Sequence, residues 1–352
     1  TLGAGDRAIK GTITIDSGAE LVATSTDALD YNNTSIINVY GTLNMSNKRW
    51  TVFDGNTFNV YAGGSIIGAG ESGRTALEVC ENNTFNILAN GDADIIAYGR
   101  SLCCDPDIAN KVAADEPIRE CLTCNKGCVD AISSRRYISC VLNAENGDEA
   151  TISIKPADEK KNVVIVGAGI AGLEAARVAA IRGHHVDVYE KADKIGGQIN
   201  IAAVPPRKAE ILRATEYYEK ILPGMDVTIH FNTEATKEIM NAADAVIVAV
   251  GAQDIVLPIN GTDSANVVSS WDVLAGKVEV SGHCAVIGGG LVGTETAEYL
   301  VEIGCKVSVI EMMDKIANGE SSTILPIIMA DFAKNDVKQY VNTKVNSIEN
   351  DG

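Results

Sequence analysis

Positive charge is scarce in this sequence. Its 352 residues include 29 Lys and Arg against 47 Asp and Glu, which gives a formal net charge of −18 at pH 7. Aromatic residues make up only 5% of the chain, and basic patches with interleaved aromatics are absent. Nucleic acids and anionic membranes are polyanions that bind through such patches. We therefore expect neither of them as a partner.

Long apolar runs are also missing. No segment approaches the roughly 18 consecutive apolar residues of a membrane span, and no basic segment followed by an apolar one comes after Thr1, as a secretory leader would require. The nine cysteines are therefore expected in a reducing, cytoplasmic compartment, where closely spaced cysteines hold metal more often than they form disulfides. The length allows two or three domains.

The first ninety residues contain a weak internal repeat. Its four copies begin at Ile13, Ile37, Phe58 and Phe85. Each copy is a short alternation of apolar and polar residues followed by a turn with Gly or Asn, a pattern typical of β-strands. Repeats of this size predict a β-solenoid, because each rung can bury its apolar face only against its neighbours. No acidic or aromatic cluster marks a ligand site, so a structural role is favoured over surface or carbohydrate binding.

Four of the nine cysteines lie within twenty positions. Cys121, Cys124 and Cys128 have the spacing C-x2-C-x3-C, and Cys140 follows after eleven intervening residues. By itself this pattern allows a disulfide framework, a zinc site, an iron–sulfur cluster or a chance grouping.

After Gly91 the pattern changes to alternating strands and helices. A strand, a glycine turn, a helix and a second strand follow one another, with Gly167, Gly169 and Gly172 in the order G-x-G-x-x-G and Glu190 at the end of the second strand. The glycines allow a tight turn, the approach of a pyrophosphate and close packing of helix on strand. The helix N-terminus would face the diphosphate, and Glu190 would accept hydrogen bonds from a ribose.

A second copy follows, with Gly288, Gly290 and Gly293 in the turn and Glu311 at the strand end. Glu311 would repel a 2′-phosphate, which favours NADH over NADPH. Between the copies, "ADAVIVAVGAQ" predicts a buried strand that ends at Gly251. This order is typical of two-dinucleotide flavoproteins. The sequence therefore predicts a multidomain protein, all-β at the N-terminus and then an α/β, Rossmann-like fold with two dinucleotide sites.

From about Ala89 onwards the sequence resembles the NADH:flavin oxidoreductases of the 2-enoate reductase and 2,4-dienoyl-CoA reductase family. The resemblance lies in "EKADKIGGQINIAAVPPRKAEI", "ADAVIVAVGA", "WDVLAGKVEVSGHCAVIGGGLVGTETAEYL" and the cysteine spacing. "ANGDADIIAYGR" is similar to the end of that family's barrel. About three quarters of the chain is covered.

The resemblance implies a set of site residues. Ligands of a [4Fe–4S] cluster would be Cys121, Cys124, Cys128 and Cys140. Residues that bind FAD would be Gly167, Ala168, Gly169, Gly172, Glu190, Lys191, Gly197, Gln198 and Gly251. Residues that bind NAD(H) would be Gly288, Gly290, Gly293 and Glu311. Gly99 and Arg100 match the last barrel strand, whose Gly-Arg contacts the FMN phosphate. Zinc remains the main alternative at the cysteines, although zinc sites usually pair two C-x2-C knuckles and only Cys121 and Cys124 form one here.

The resemblance also implies a function. In the family a hydride passes from NADH to FAD, and single electrons cross the cluster to FMN, which reduces an activated C=C bond. Thiolates suit iron because they are soft, charged donors. We expect an electron-transfer oxidoreductase with a small-molecule electron acceptor or an enoate as its partner, and an oligomer is compatible with this.

Two departures from the family define an alternative. A barrel of roughly 250 residues precedes the cysteines in the family, and its place is taken here by the repeat segment. FMN is therefore expected only if a barrel is supplied elsewhere, and no catalytic residue is assigned. The sequence also stops before the segment that closes around FAD. The alternative is an inactive truncated or chimeric product, with a solenoid as a binding or structural module and a remnant nucleotide-binding unit.

The predicted domain boundaries follow these patterns. The repeat segment occupies residues 1–90, and the barrel-end and cysteine segment residues 91–140. A linker at 141–160 leads to the FAD/NAD(H)-binding region at 161–352, in which the NAD-type insert begins at about residue 280. Cys103 and Cys104 are expected as buried thiols in a turn, and Glu295 and Glu298 as a solvated helix face. Packed thiols are expected at Cys80, Cys284 and Cys305.

Overall fold

The computed structural model divides the chain into two units, Thr1–Ala97 and Tyr98–Gly352. It describes residues 12–22, 36–44, 50–52, 57–61, 65–67, 77–79, 84–88 and 99–349. Among these residues, no helix has the length and apolar character needed to cross a membrane. The cytoplasmic location stays a prediction. Cys80, which was predicted to be a packed thiol, lies outside the described residues.

The first unit consists of short strands. They are β1 (Thr12–Ile15), β2 (Glu20–Val22), β3 (Ile36–Val39), β4 (Thr42–Asn44), β5 (Trp50–Val52), β6 (Thr57–Tyr61), β7 (Ser65–Ile67), β8 (Leu77–Val79) and β9 (Thr84–Leu88). All pairings among them are parallel, in the orders β1-β3-β6-β9, β2-β4-β7 and β5-β8.

The register of the first sheet follows the sequence repeat. Ile13 pairs with Ile37, Ile37 with Phe58 and Phe58 with Phe85, which are the four positions where the repeats begin. Ile37 is fully buried, as the alternation predicts for an inward-facing residue. Asn59 Nδ2 donates to Asn38 Oδ1 at 2.8 Å across β6 and β3. The β-solenoid itself stays a prediction, because the turns between most of these strands lie outside the described residues.

The second unit alternates helices and strands. Its helices are α1 (Arg100–Cys104), α2 (Ile108–Ala113), α3 (Val129–Ser133), α4 (Ile170–Ile181), α5 (Ile199–Ala202), α6 (Arg213–Ile221), α7 (Lys237–Ala242), α8 (Ser270–Leu274), α9 (Leu291–Glu302) and α10 (Leu325–Lys334), with 3₁₀ turns at Ala209–Leu212 and Leu222–Gly224. Its strands are β10 (Asn162–Val166), β11 (His185–Tyr189), β12 (Val227–His230), β13 (Ala245–Val248), β14 (His283–Ile287), β15 (Lys306–Ile310) and β16 (Lys338–Tyr340).

Two parallel sheets form the framework of this unit. The first has the order β12-β11-β10-β13 and the second β14-β15-β16. Ile165 and Val188 are buried in the first core against Leu173 of α4. Val309 and Phe332 of α10 occupy the equivalent core of the second sheet. Apolar runs in the central strands are expected where helices cover a parallel sheet. The predicted Rossmann-like α/β fold is therefore confirmed.

The strand predicted from "ADAVIVAVGAQ" exists as β13, but it is not buried. Val248 is 67% exposed, and Val246 and Ile247 are more than one third exposed. Within the described residues β13 lies at the edge of its sheet and pairs only with β10. An apolar run in a strand predicts that its side chains are buried. Whether neighbouring elements bury them depends on the position of the strand in the sheet.

Two local predictions near the start of this unit were wrong. Arg100 is not at the end of a strand but begins α1, and both Gly99 and Arg100 are exposed. Cys103 and Cys104 lie in α1 rather than in a turn. Residues 89–98, the rest of the segment that is similar to the end of the family's barrel, lie outside the described residues.

Candidate functional site

The first glycine turn joins β10 to α4. Gly167 has φ = +103°, a conformation that residues with a side chain rarely adopt. A Cβ on Gly172 would overlap the carbonyl oxygen of Gly167, so α4 can pack this closely only with glycine there. Gly169 precedes α4 in an extended conformation, and no side chain caps the helix. The first N–H groups of α4 can therefore bind an anionic group.

Glu190 closes this turn from the end of β11. Its Oε2 accepts the N–H of Ala168 at 2.7 Å, and its Oε1 accepts the N–H of Ala192 at 2.8 Å. The side chain is 8% exposed. The carboxylate thus lies at the glycine turn, as the predicted contact with a ribose requires. Lys191, the next residue, is exposed.

A second loop approaches the same turn. Gly196 forms a parallel bridge with Gly169, and its N–H donates to the Ala168 carbonyl at 2.9 Å. Gln198 Nε2 donates to the carbonyl of Ala252 at 2.8 Å, which ties the loop to Gly251. The fold therefore brings the predicted FAD-binding residues of three separate segments to one place.

The second glycine turn has the same construction. Gly288 has φ = +95°, and a Cβ on Gly293 would overlap the Gly288 carbonyl oxygen. Glu311 at the end of β15 accepts the N–H groups of Gly289 and Met313, each at 2.7 Å. The two sequence fingerprints thus form two equivalent sites, each at the carboxyl end of a parallel sheet. Their roles in binding FAD and NAD(H) stay predictions.

The cysteines face a common cavity. Its lining includes five thiol-bearing residues: Cys103, Cys121, Cys124, Cys128 and Cys140. The segment of Cys140 reaches the cavity because the Ser139 N–H donates to the Gly127 carbonyl at 2.7 Å, an approach that a side chain on Gly127 would block. Sequence reasoning assigned four of the five, and it took Cys103 for a packed thiol.

Protonation differs among these thiols. Burial raises the pKa of Cys124. It also raises the pKa of Cys103, which is less buried. The pKa of Cys140 is lowered, chiefly by a hydrogen bond with the Cys104 thiol, and the pKa of Cys104 is raised by the same bond. The lowered pKa favours the thiolate form of Cys140, which is the form that binds metals.

The arrangement of the thiols bears on whether they suit a single metal ion or an iron–sulfur cluster. Within the described residues, no three His, Cys, Asp or Glu side chains are arranged as ligands of a single metal ion. Several thiols instead surround one space. Soft thiolates around a shared cavity fit iron–sulfur chemistry, in which each ligand binds a different iron.

Both nucleotide-binding halves contact the cysteine segment. Arg213 of α6 donates through Nη1 to the Cys121 carbonyl at 2.9 Å. From the second half, Glu320 accepts a hydrogen bond from Lys126 Nζ at 2.9 Å, and Ser321 Oγ donates to Asp130 Oδ1 at 2.7 Å. Arg100 lines the cysteine cavity and donates to the side chain of Asn125. Its predicted contact with an FMN phosphate stays a prediction.

Glu298 on α9 was expected to be solvated, and this prediction was wrong. The residue is 6% exposed and forms an ion pair with Arg207, which also contacts Asp331 at 2.6 Å. Lys208 pairs with Glu295 at 2.8 Å. Burial outweighs these cations and raises the pKa of Glu298 to about 7. The loop before α6 covers this helix face, a contact that the helical pattern of α9 cannot indicate.

The fold and its paired glycine turns define an α/β oxidoreductase with two dinucleotide-binding units. A model of the pyridine nucleotide-disulphide oxidoreductase family matches residues 161–352, and the chain belongs to this family.

Relatives of known name match beyond that region. Bilirubin reductase of Mediterraneibacter gnavus is 48% identical over 274 residues, which are 77% of this chain and 43% of that protein. Cinnamate reductase of Clostridium sporogenes is 40% identical over 233 residues, 65% of this chain and 35% of that protein. The solved complex of 2-naphthoyl-CoA reductase with 2-naphthoyl-CoA has a TM-score of 0.69 and 30% identity, over 80% of this chain and 41% of the other.

The predicted resemblance to the 2-enoate reductase and 2,4-dienoyl-CoA reductase family is confirmed by these relatives. The chain spans less than half the length of each of them.

Proposed function

We propose that this chain passes reducing equivalents from NADH through FAD to a [4Fe–4S] cluster held by Cys121, Cys124, Cys128 and Cys140. One observation carries the proposal: the cysteine segment is bonded to both nucleotide-binding halves. Such contacts hold a redox centre at a constant position relative to its electron donors, which transfer between bound groups requires.

The first glycine turn would hold FAD. The uncapped N-terminus of α4 binds the pyrophosphate, and Glu190 orients the ribose. The second turn would hold NADH in the same way, with Glu311 at the ribose. Because a carboxylate there repels a 2′-phosphate, Glu311 selects NADH over NADPH.

The cysteine segment would hold the cluster. When bound, an iron–sulfur cluster accepts and releases electrons one at a time. The chain's own contribution is to fix the ligands: Arg213 holds the Cys121 carbonyl, and the Gly127–Ser139 hydrogen bond brings the Cys140 segment to the other three cysteines.

The final acceptor would be a conjugated small molecule. The names of the relatives, bilirubin, cinnamate and 2-naphthoyl-CoA reductases, support an unsaturated substrate for the protein to which this segment corresponds. Onward transfer to FMN and an activated C=C bond is proposed only where a barrel is supplied elsewhere.

The test uses the full chain, purified without oxygen and reconstituted with FAD, iron and sulfide. We expect flavin absorbance, about four irons per chain and NADH-dependent reduction of a one-electron dye. Lys338→Ala, which removes an exposed ion pair, is the control and should match the wild type. A folded chain that lacks bound iron, or that lacks flavin absorbance, would refute the proposal.

A second candidate rests on the parallel register of the N-terminal strands. In this alternative, residues 1–90 form a β-solenoid that serves as a structural or binding module, and the nucleotide-binding unit is inactive. A folded chain that binds flavin and iron but does not reduce the dye with NADH would favour it. Amide hydrogen exchange tests the solenoid itself. If it forms, the backbone amides of β1, β3, β6 and β9 should all be protected from exchange.

A further inference from the structure

The cysteine cavity contains one thiol more than a cluster needs. A [4Fe–4S] cluster takes four cysteine ligands, and the cavity is lined by five cysteines. The additional one is Cys103, which lies on α1 and is partly exposed. It reaches the cavity from a different segment than the loop that carries Cys121, Cys124 and Cys128.

A buried asparagine holds Cys103 next to the segment of Cys140. Asn143 is 5% exposed. Its side-chain Nδ2 donates to the Cys103 carbonyl at 3.1 Å, and its backbone N–H donates to the Cys140 carbonyl at 3.3 Å. One residue therefore ties the backbones of these two cavity-lining cysteines together.

Cys104, the other thiol on α1, has a partner of its own. Its thiol is fully buried and donates to the Glu120 carbonyl at 3.6 Å. Cys103 is the neighbouring residue on α1 and faces the cavity itself.

We propose that Cys103 is an alternative cluster ligand, able to take the place of Cys140 on the fourth iron. The inference rests on the cluster of the proposed function. It assigns Cys121, Cys124 and Cys128 as constant ligands. The fourth position is a choice between two cysteines whose backbone carbonyls both accept hydrogen bonds from Asn143.

Cysteine variants of the full chain test this, with iron and acid-labile sulfide content and the electron paramagnetic resonance spectrum of the reduced cluster as readouts. Cys140→Ala and Cys103→Ala should each keep about four irons per chain, and Cys140→Ala should show a shifted spectrum. The double variant should lose at least one iron. Cys284→Ala, which removes a partly buried thiol on β14, controls for the loss of any thiol.

The outcomes separate the two proposals. A wild-type chain without iron overturns both. A wild-type chain with about four irons and a Cys140→Ala variant as depleted as the double variant overturns only the exchange of ligands.

If Cys140→Ala does not fold, alkylation of the loaded protein decides the matter. In the wild type Cys140 should be alkylated in a fraction of molecules, and in Cys103→Ala it should be fully protected, because Cys140 is then the only fourth ligand. Equal protection of Cys140 in both proteins overturns the proposal.

Discussion

The carboxylate of Glu311 accepts the backbone N–H of Gly289 at 2.7 Å. The corresponding bond in the first half joins Glu190 to Ala168, also at 2.7 Å. In both cases an acid from the end of one strand closes the glycine turn that follows its neighbour. The two turns are therefore closed by the same kind of bond, and matched substitutions can separate structural from binding roles.

The glycines of one turn should divide into two classes. Gly293→Ala should lower the stability by about 3 kcal/mol, because its Cβ would overlap the Gly288 carbonyl oxygen. Gly290→Ala should change the stability by less than about 1 kcal/mol, because open space surrounds its Cβ and its φ of −68° suits alanine. Denaturant unfolding measures both.

Gly290→Ala, which should keep its stability, should nevertheless bind NADH more weakly. Gly290→Ala should weaken NADH binding at least tenfold, or about 1.4 kcal/mol, because the methyl group occupies the place where a pyrophosphate approaches. Titration calorimetry measures this. Full NADH affinity in Gly290→Ala would show that the nucleotide does not approach this turn.

The charge of Glu311 should set the choice of nucleotide. Glu311→Gln keeps the volume and one acceptor oxygen but removes the negative charge that repels a 2′-phosphate. We expect the preference for NADH over NADPH to fall about tenfold, or 1.4 kcal/mol. The matched variant Glu190→Gln should leave this preference unchanged. An equal effect of both variants would contradict the assignment of the second turn to NADH.

Glu298 should make stability depend on pH. Its pKa is raised to about 7 in the folded chain by burial, above the value of about 4.3 in an unfolded one. The folded state therefore binds more protons between these values, and its stability is greatest below them and falls as pH rises through 7. From pH 5 to pH 8 the wild type should lose about 1–3 kcal/mol relative to Glu298→Gln.

Thermal unfolding of both proteins over this pH range measures the difference. Glu295→Gln removes another ion pair from the same helix and serves as the control for that loss. A difference between wild type and Glu298→Gln that stays constant, or grows in favour of the wild type as pH rises, is incompatible with this account.

Lys126 should stabilise the cysteine segment through Glu320. The Glu320 side chain is only 4% exposed, so Lys126→Ala leaves a buried carboxylate without its cation. We expect a loss of about 1–3 kcal/mol and faster release of iron to a chelator from the reconstituted chain. Lys338→Ala, in an exposed pair, should do neither. Equal iron release in the two variants would mean that this contact does not support the cysteine segment.

Much of the second unit was predictable from local patterns. Gly167, Gly172 and Glu190 occupy the expected places because a glycine turn between strand and helix has few conformations, all set by neighbours in sequence. The strand repeat of the first unit likewise predicted the observed pairing of Ile37 with Phe58. In these cases the physical constraint acts over a few residues or over one repeat.

The sequence by itself thus determined the two dinucleotide-binding turns, their acids and the grouping of Cys121 to Cys140. Only the tertiary structure decided the fifth thiol, the burial of Glu298 and the exposure of Val248. Asn143 meets Cys103 across 40 residues, and Arg207 meets Glu298 across 91. Periodicity reports which face of an element is apolar, whereas contacts at such separations depend on how complete elements pack against one another.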